Sequence, residues 1–124
     1  MKPCHLLLSL LLVSAGRLAA QDANCMDSVT TLAQRQCLSA QLKLADSGMG
    51  VFLDSLKGTL GDSSKAALER ASPRWRAYRA AECDAVLESY DGGSMGLVAN
   101  LGCLIALTNS RQKLLRAFYS KGDE

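Results

Sequence analysis

Four cysteines constrain this chain more than any other feature. Cys25, Cys37, Cys83 and Cys103 are separated by 11, 45 and 19 intervening residues. A fifth, Cys4, belongs to an N-terminal segment that reads as an export signal. Lys2 supplies a positive start, residues 6–13 (LLLSLLLV) form an apolar run, and small residues follow up to Ala19-Ala20. That layout is a secretory leader, and its apolar run is too short for the roughly 20 residues of a membrane span. Cleavage is expected after Ala20, with Gly16 as the alternative site. Neither Cys4 nor Cys25 has the setting of a lipid-bearing cysteine, so no membrane insertion is expected after processing. Four cysteines in an exported chain of this size read as two disulfides. The competing reading is free thiols or a cysteine-only metal site. It is disfavoured because metal ligands favour close pairs such as C-x-x-C.

The same processing sets the remaining chemistry. The 124 residues allow one domain, here residues 21–124. Loss of Lys2 and Arg17 leaves twelve basic residues against twelve acidic ones, so the net charge of +2 falls to zero. No long-range field remains to attract nucleic acid. His5, the only histidine, leaves with the leader. A Ser-His-Asp or Cys-His arrangement then cannot form. Catalysis is not expected, nor is any cofactor. Met26, Met49 and Met95 are scattered, which argues against a methionine metal site.

Hydrophobic spacing predicts an all-α fold, a small bundle of three main helices. Leu38, Leu42, Ala45, Met49, Phe52, Leu56 and Leu60 recur at steps of three and four, which predicts a first helix over residues 31–60. Asp27 or Ser28 could cap its start. Gly48, Gly50 and Gly58 each cost about 1 kcal/mol inside a helix, so they are expected to mark a bend or a close helix contact. Asp62 or Ser63 could cap the next segment. Pro73 disfavours a helix interior, so a short helix over 64–71 and a new start capped by Ser72 are expected. Trp75, Arg79, Glu82, Cys83, Val86 and Tyr90 then share one face. Gly92-Gly93 ends that helix. The third runs over 95–119, with Val98, Leu101, Leu104, Ile105, Leu115 and Phe118 as its stripe. Three cysteine pairings are possible in principle. The layout favours Cys83–Cys103 across a helical hairpin and Cys25–Cys37 tying the N-terminal arm to the first helix.

A set of tokens carries a resemblance. It comprises Cys25 and Cys37, then Ala45-Asp46, then Trp75-x-x-Tyr78-Arg79-x-x-x-Cys83. Gly92-Gly93-Ser94 and Cys103-Leu104-x-x-Leu107-Thr108-x-x-Arg111-x-x-x-Leu115 follow. In this order and spacing, over residues 25–118, the chain resembles the LprI-type lysozyme-inhibitor family of small secreted bacterial proteins. Asp46, Trp75, Tyr78 and Thr108 are its structural tokens here. Two stretches depart from the family pattern: Met49-Gly50-Val51-Phe52 in the first helix, and Ser72-Pro73-Arg74 before the tryptophan. The resemblance implies a helical, disulfide-bonded, periplasmic or secreted binding protein and suggests a lysozyme as its target.

The candidate contact residues carry competing roles. Trp75 is either a partner anchor or, as favoured, core packing. Arg79 and Arg111 either present guanidinium groups to a target carboxylate or join the helices through Asp46 or Glu82, the latter being favoured. The turn Asp91-Gly92-Gly93-Ser94 is the best surface candidate, since a slim glycine-rich loop could enter a cleft holding two carboxyl groups. Its plainer role is to stop one helix and start the next. Arg70, Arg74, Arg76 and Arg79, followed by Glu82, Asp84, Glu88 and Asp91, read mostly as a solvated surface with i,i+4 pairing. Three functions remain open: an inhibitor of lysozyme or a related wall hydrolase, an immunity protein against a delivered toxin, and a non-inhibitory envelope component. Oligomeric state is not legible.

Overall fold

A computed structural model describes residues 24–120. The leader and its cleavage site lie outside the described residues. A single 3-10 turn, Cys25–Asp27, precedes three long helices: α1 (Thr31–Thr59), α2 (Asp62–Glu88) and α3 (Ser94–Tyr119). No strand occurs among the described residues. At about 1.5 Å per residue, each helix is some 40 Å long.

Both disulfides are the favoured ones. Cys25 and Cys37 join with Cα atoms 5.5 Å apart, and Cys83 and Cys103 with Cα atoms 5.6 Å apart. The first seats the arm in a small core of Cys25, Leu38 and Val98, flanked by Cys37, Leu101 and Ile105. The second crosses the α2–α3 hairpin, where the Cys83 residue is wholly buried. Beside it the Asn100 amide donates to the Cys83 carbonyl at 2.9 Å. α3 is the central element. α1 and α2 each pack along it, while no comparable seam joins α1 to α2, so a groove runs between those two helices.

Local chemistry accounts for the ends. Thr30, not Asp27 or Ser28, caps α1: its hydroxyl oxygen accepts from the Ala33 N–H at 3.2 Å. Asn24 caps the 3-10 turn instead, accepting from the Met26 N–H. Gln34 clamps the arm by donating to the Met26 and Ser28 carbonyls. Gly61 precedes α2 without a side-chain cap, so neither Asp62 nor Ser63 plays that part.

Pro73 does not divide α2. The helix runs through it, and Ser72 is no cap: its hydroxyl donates back to the Leu68 carbonyl at 2.9 Å, as serines inside helices do. The reason is tertiary. Leu68, Ser72, Trp75, Arg79, Cys83 and Val86 follow one another at steps of four and three on a single inward stripe. A break at Pro73 would take half of them out of register. The proline ring sits on the exposed side of the helix, where water can serve the carbonyl that lacks its N–H donor.

Several expected core positions are not core. Phe118 is 73% exposed and Tyr90 45%, and Glu82 faces solvent. Thr108, absent from the expected apolar stripe, is fully buried. The pairing expected along α2 is not closed either. The ion pairs among the described residues are Asp54–Lys57 and Asp46–Arg79.

The glycines also divide differently from expectation. A methyl group added at Gly48, Gly50 or Gly58 would meet nothing within 4 Å, so none marks a close helix contact. At Gly96 it would lie 3.1 Å from Leu87 Cδ1 and Tyr90 Cβ and 3.2 Å from the Leu87 carbonyl oxygen. The hairpin therefore closes on Gly96. Gly48→Ala is expected to raise unfolding stability by about 1 kcal/mol through helix propensity alone. Gly96→Ala should lower it by about 1–2 kcal/mol, overpacking outweighing the same propensity gain. Urea midpoints of the two variants, shifted in opposite directions, check this.

Candidate functional site

The first candidate region is a polar seam where the three helices meet. From α2, the Arg79 guanidinium reaches both neighbours through Nη1, which donates to Asp46 Oδ1 on α1 and to Thr108 Oγ1 on α3, each at 2.5 Å. The Thr108 hydroxyl in turn donates to the Leu104 carbonyl at 2.8 Å. Arg79 is 15% exposed and Asp46 45%, so the pair sits at the wet edge of the seam with its inner end dry. Glu82, the other acid expected to pair, forms no ion pair among the described residues.

Two guanidinium groups stack on the Trp75 ring. Arg79 Cζ is 5.0 Å and Arg111 Cζ 4.7 Å from the ring centroid, both within cation–π range. Arg79 has a carboxylate; Arg111 has none within 4 Å among the described residues. Its Nη2 donates to the Ser72 hydroxyl at 3.3 Å, and its Nε is buried without an acceptor. Burial first, and the like charge of Arg76 second, hold the Arg111 pKa below its ordinary value, Tyr119 acting weakly against them. Above this stack opens a hollow of about 260 Å³ in the α1–α2 groove, walled by Asp46, Met49, Ser72, Trp75, Arg76 and Arg111 among others. Behind Trp75 lies a mainly apolar depression of about 450 Å³, where Tyr78 (54% exposed), Leu114 and Phe118 face outward.

The second region is the turn closing the hairpin. Asp91 and Gly92 take left-handed backbone angles, φ 48° and 77°. Glycine adopts that conformation freely; aspartate tolerates it. The Gly93 N–H donates to the Tyr90 carbonyl at 2.8 Å, and Ser94 is the first residue of α3. Residues 91–95 are all exposed. The turn is some 18 Å along α2 from Arg79, at about 1.5 Å per residue. The structure thus brings Asp46, Trp75, Arg79, Thr108 and Arg111 together, puts Tyr78 beside them, and sets Asp91, Gly92, Gly93 and Ser94 apart.

Sequence reasoning missed three participants. Ser72, expected as a cap, is the neutral partner of Arg111. Arg76, exposed as the charge pattern predicts, also lines the hollow. Asn100 gave only a weak signal, a polar residue within an apolar helical run.

A family model described as lysozyme inhibitor LprI matches residues 22–115. The chain belongs to the LprI lysozyme-inhibitor family. No curated protein and no solved structure matches it significantly. The LprI match spans both bridges, the seam and the turn, and it identifies a family of inhibitors rather than enzymes. A protein partner such as a lysozyme follows from that membership. Two disulfides fit the extracytoplasmic setting in which such inhibitors work. Among the described residues no group of three or more histidine, cysteine or acidic side chains could hold a metal ion, and no helix is long and apolar enough to cross a membrane.

Proposed function

We propose that this protein is exported, loses residues 1–20, and inhibits a lysozyme or related wall-degrading hydrolase by blocking its catalytic cleft. The LprI match over residues 22–115 carries the reading. The leader-like N-terminus supports export. The exposed turn at Asp91-Gly92-Gly93-Ser94 supports the mode of action. It is exposed throughout and slim at Gly92-Gly93, and it offers a serine hydroxyl and the free N–H groups at the start of α3. Those donors suit the two carboxyl groups of a glycosidase cleft. Inhibition then needs no reactive group, only a bound surface that excludes the polysaccharide.

A wall-lysis assay with a panel of lysozymes tests this. Inhibition saturating near one protein per enzyme is expected for at least one member. None at several-fold excess over every enzyme would remove the proposal; a stable complex with a delivered toxin would replace it with an immunity role.

Ser94→Glu tests the turn itself. A carboxylate at the first position of α3 is favoured by the helix dipole by about 0.3–1 kcal/mol, so stability should hold or rise. Against a cleft bearing two carboxyl groups the same charge is repulsive. Inhibition is expected to weaken at least tenfold with an unchanged or higher melting temperature. Unaltered inhibition would move the contact surface away from the turn.

A further inference from the structure

We propose that the hollow walled by Ser72, Trp75, Arg76 and Arg111 is a carboxylate-binding site, taking an acidic side chain of a protein partner or a free short carboxylic acid. Three arginines and one acid, Asp46, line this space, and that acid is committed to Arg79. Among the described residues neither Arg76 nor Arg111 has an ion-pair partner.

Arg111 is also held ready. Its guanidinium is stacked on Trp75 and steadied by a single long bond to the neutral Ser72 hydroxyl. A guanidinium has five N–H donors in a planar fork matched to a carboxylate. Here the buried Nε has no acceptor, so a ligand would meet the Nη groups. The lowered pKa of Arg111 has the same cause, a cation desolvated beside another cation without a counter-charge. A carboxylate bridging Arg111 and Arg76 would supply that charge. At about 260 Å³ the hollow falls just below the usual range for small-molecule pockets, about 300–1,000 Å³, which suits one acidic side chain or an acid of a few carbons. Its place between α1 and α2 leaves it open without any movement of the helices.

Trp75 is the only tryptophan, so its emission reports on the stack directly. The oxidised protein is titrated with propionate and, separately, with propionamide, at constant ionic strength. Propionate should give a saturating change and propionamide none. Arg111→Met, which keeps an unbranched chain against the ring, should weaken the propionate response at least tenfold. Arg76→Gln, at an exposed position that the fold does not need, should weaken it about threefold. Should Arg111→Met fail to fold, Arg76→Gln carries the test. Equal responses to acid and amide, or curves unmoved by the substitutions, would overturn the proposal. Measuring the same variants against an inhibited hydrolase separates the two sources. Parallel loss of hydrolase binding assigns the site to a partner's side chain, and loss in the propionate titration alone assigns it to a free acid. Because that titration contains no hydrolase, its outcome is independent of whether the inhibitor reading holds.

Discussion

Replacing Cys83 and Cys103 together with alanine is expected to lower unfolding stability by about 3 kcal/mol, the cost of releasing a loop of this size in the unfolded chain. The bridge spans 20 positions, between helices that share few large apolar side chains. Of α2, only Leu68 and Cys83 are buried, so apart from sulfur that helix is held to α3 mainly by polar contacts: Asn100 to the Cys83 carbonyl, Arg79 to Thr108 and Arg111 to Ser72 and the Trp75 ring. Alanine leaves no stranded polar atom at the buried Cys83 site, which keeps the comparison clean. For a domain of this length each kcal/mol moves the melting temperature by about 4–8 °C, so thermal unfolding should fall by on the order of 15 °C. A shift below about 1 kcal/mol would mean that the Asn100 bond and the closure at Gly96 hold the hairpin without sulfur.

The second large effect is expected at Arg79. Arg79→Met removes its bonds to Asp46 and Thr108 and its cation–π contact with Trp75. A fully buried ion pair broken on one side costs about 3–5 kcal/mol. Here Asp46 is 45% exposed, so water rescues the abandoned carboxylate and the expected loss falls to about 2 kcal/mol. Thr108 is not stranded, since its hydroxyl still donates to the Leu104 carbonyl. A double-mutant cycle with Asp46→Asn should assign about 1 kcal/mol to the pair itself; the remainder belongs to Thr108 and the ring. Arg79→Lys should recover little of it, because an ammonium cannot serve two acceptors and stack on an indole in one geometry. Denaturant unfolding of the parent, the three proteins of the cycle and Arg79→Lys provides the check. A cycle that couples by nothing would reduce the Asp46 contact to a surface ion pair.

How far these features were legible follows from the physics of each. The helices and both bridges could be read because apolar spacing and the Gly-Gly turn are local signals. Pro73 misled because its backbone cost is also local, whereas the continuous stripe from Leu68 to Val86 that keeps α2 whole draws its energy from packing against the rest of the bundle. Tyr90 and Phe118 look like core residues in a one-dimensional pattern. They are exposed because α1 and α2 both pack on α3 and leave the helix ends uncovered. At the site, Trp75 with Arg79 at i,i+4 was visible. Arg111 and Ser72 come together only through the α2–α3 packing, 39 positions apart. Nothing in either local sequence marks them as partners.

Inhibition by the bridged chain, set against the same chain reduced and thiol-blocked, tests the central claim most directly. The oxidised protein should halt wall lysis by its target at near-equal amounts, and the blocked protein should lose that effect together with its cooperative unfolding. Equal inhibition by both forms, or by neither, would contradict a mechanism that rests on the outer surface of a disulfide-locked bundle.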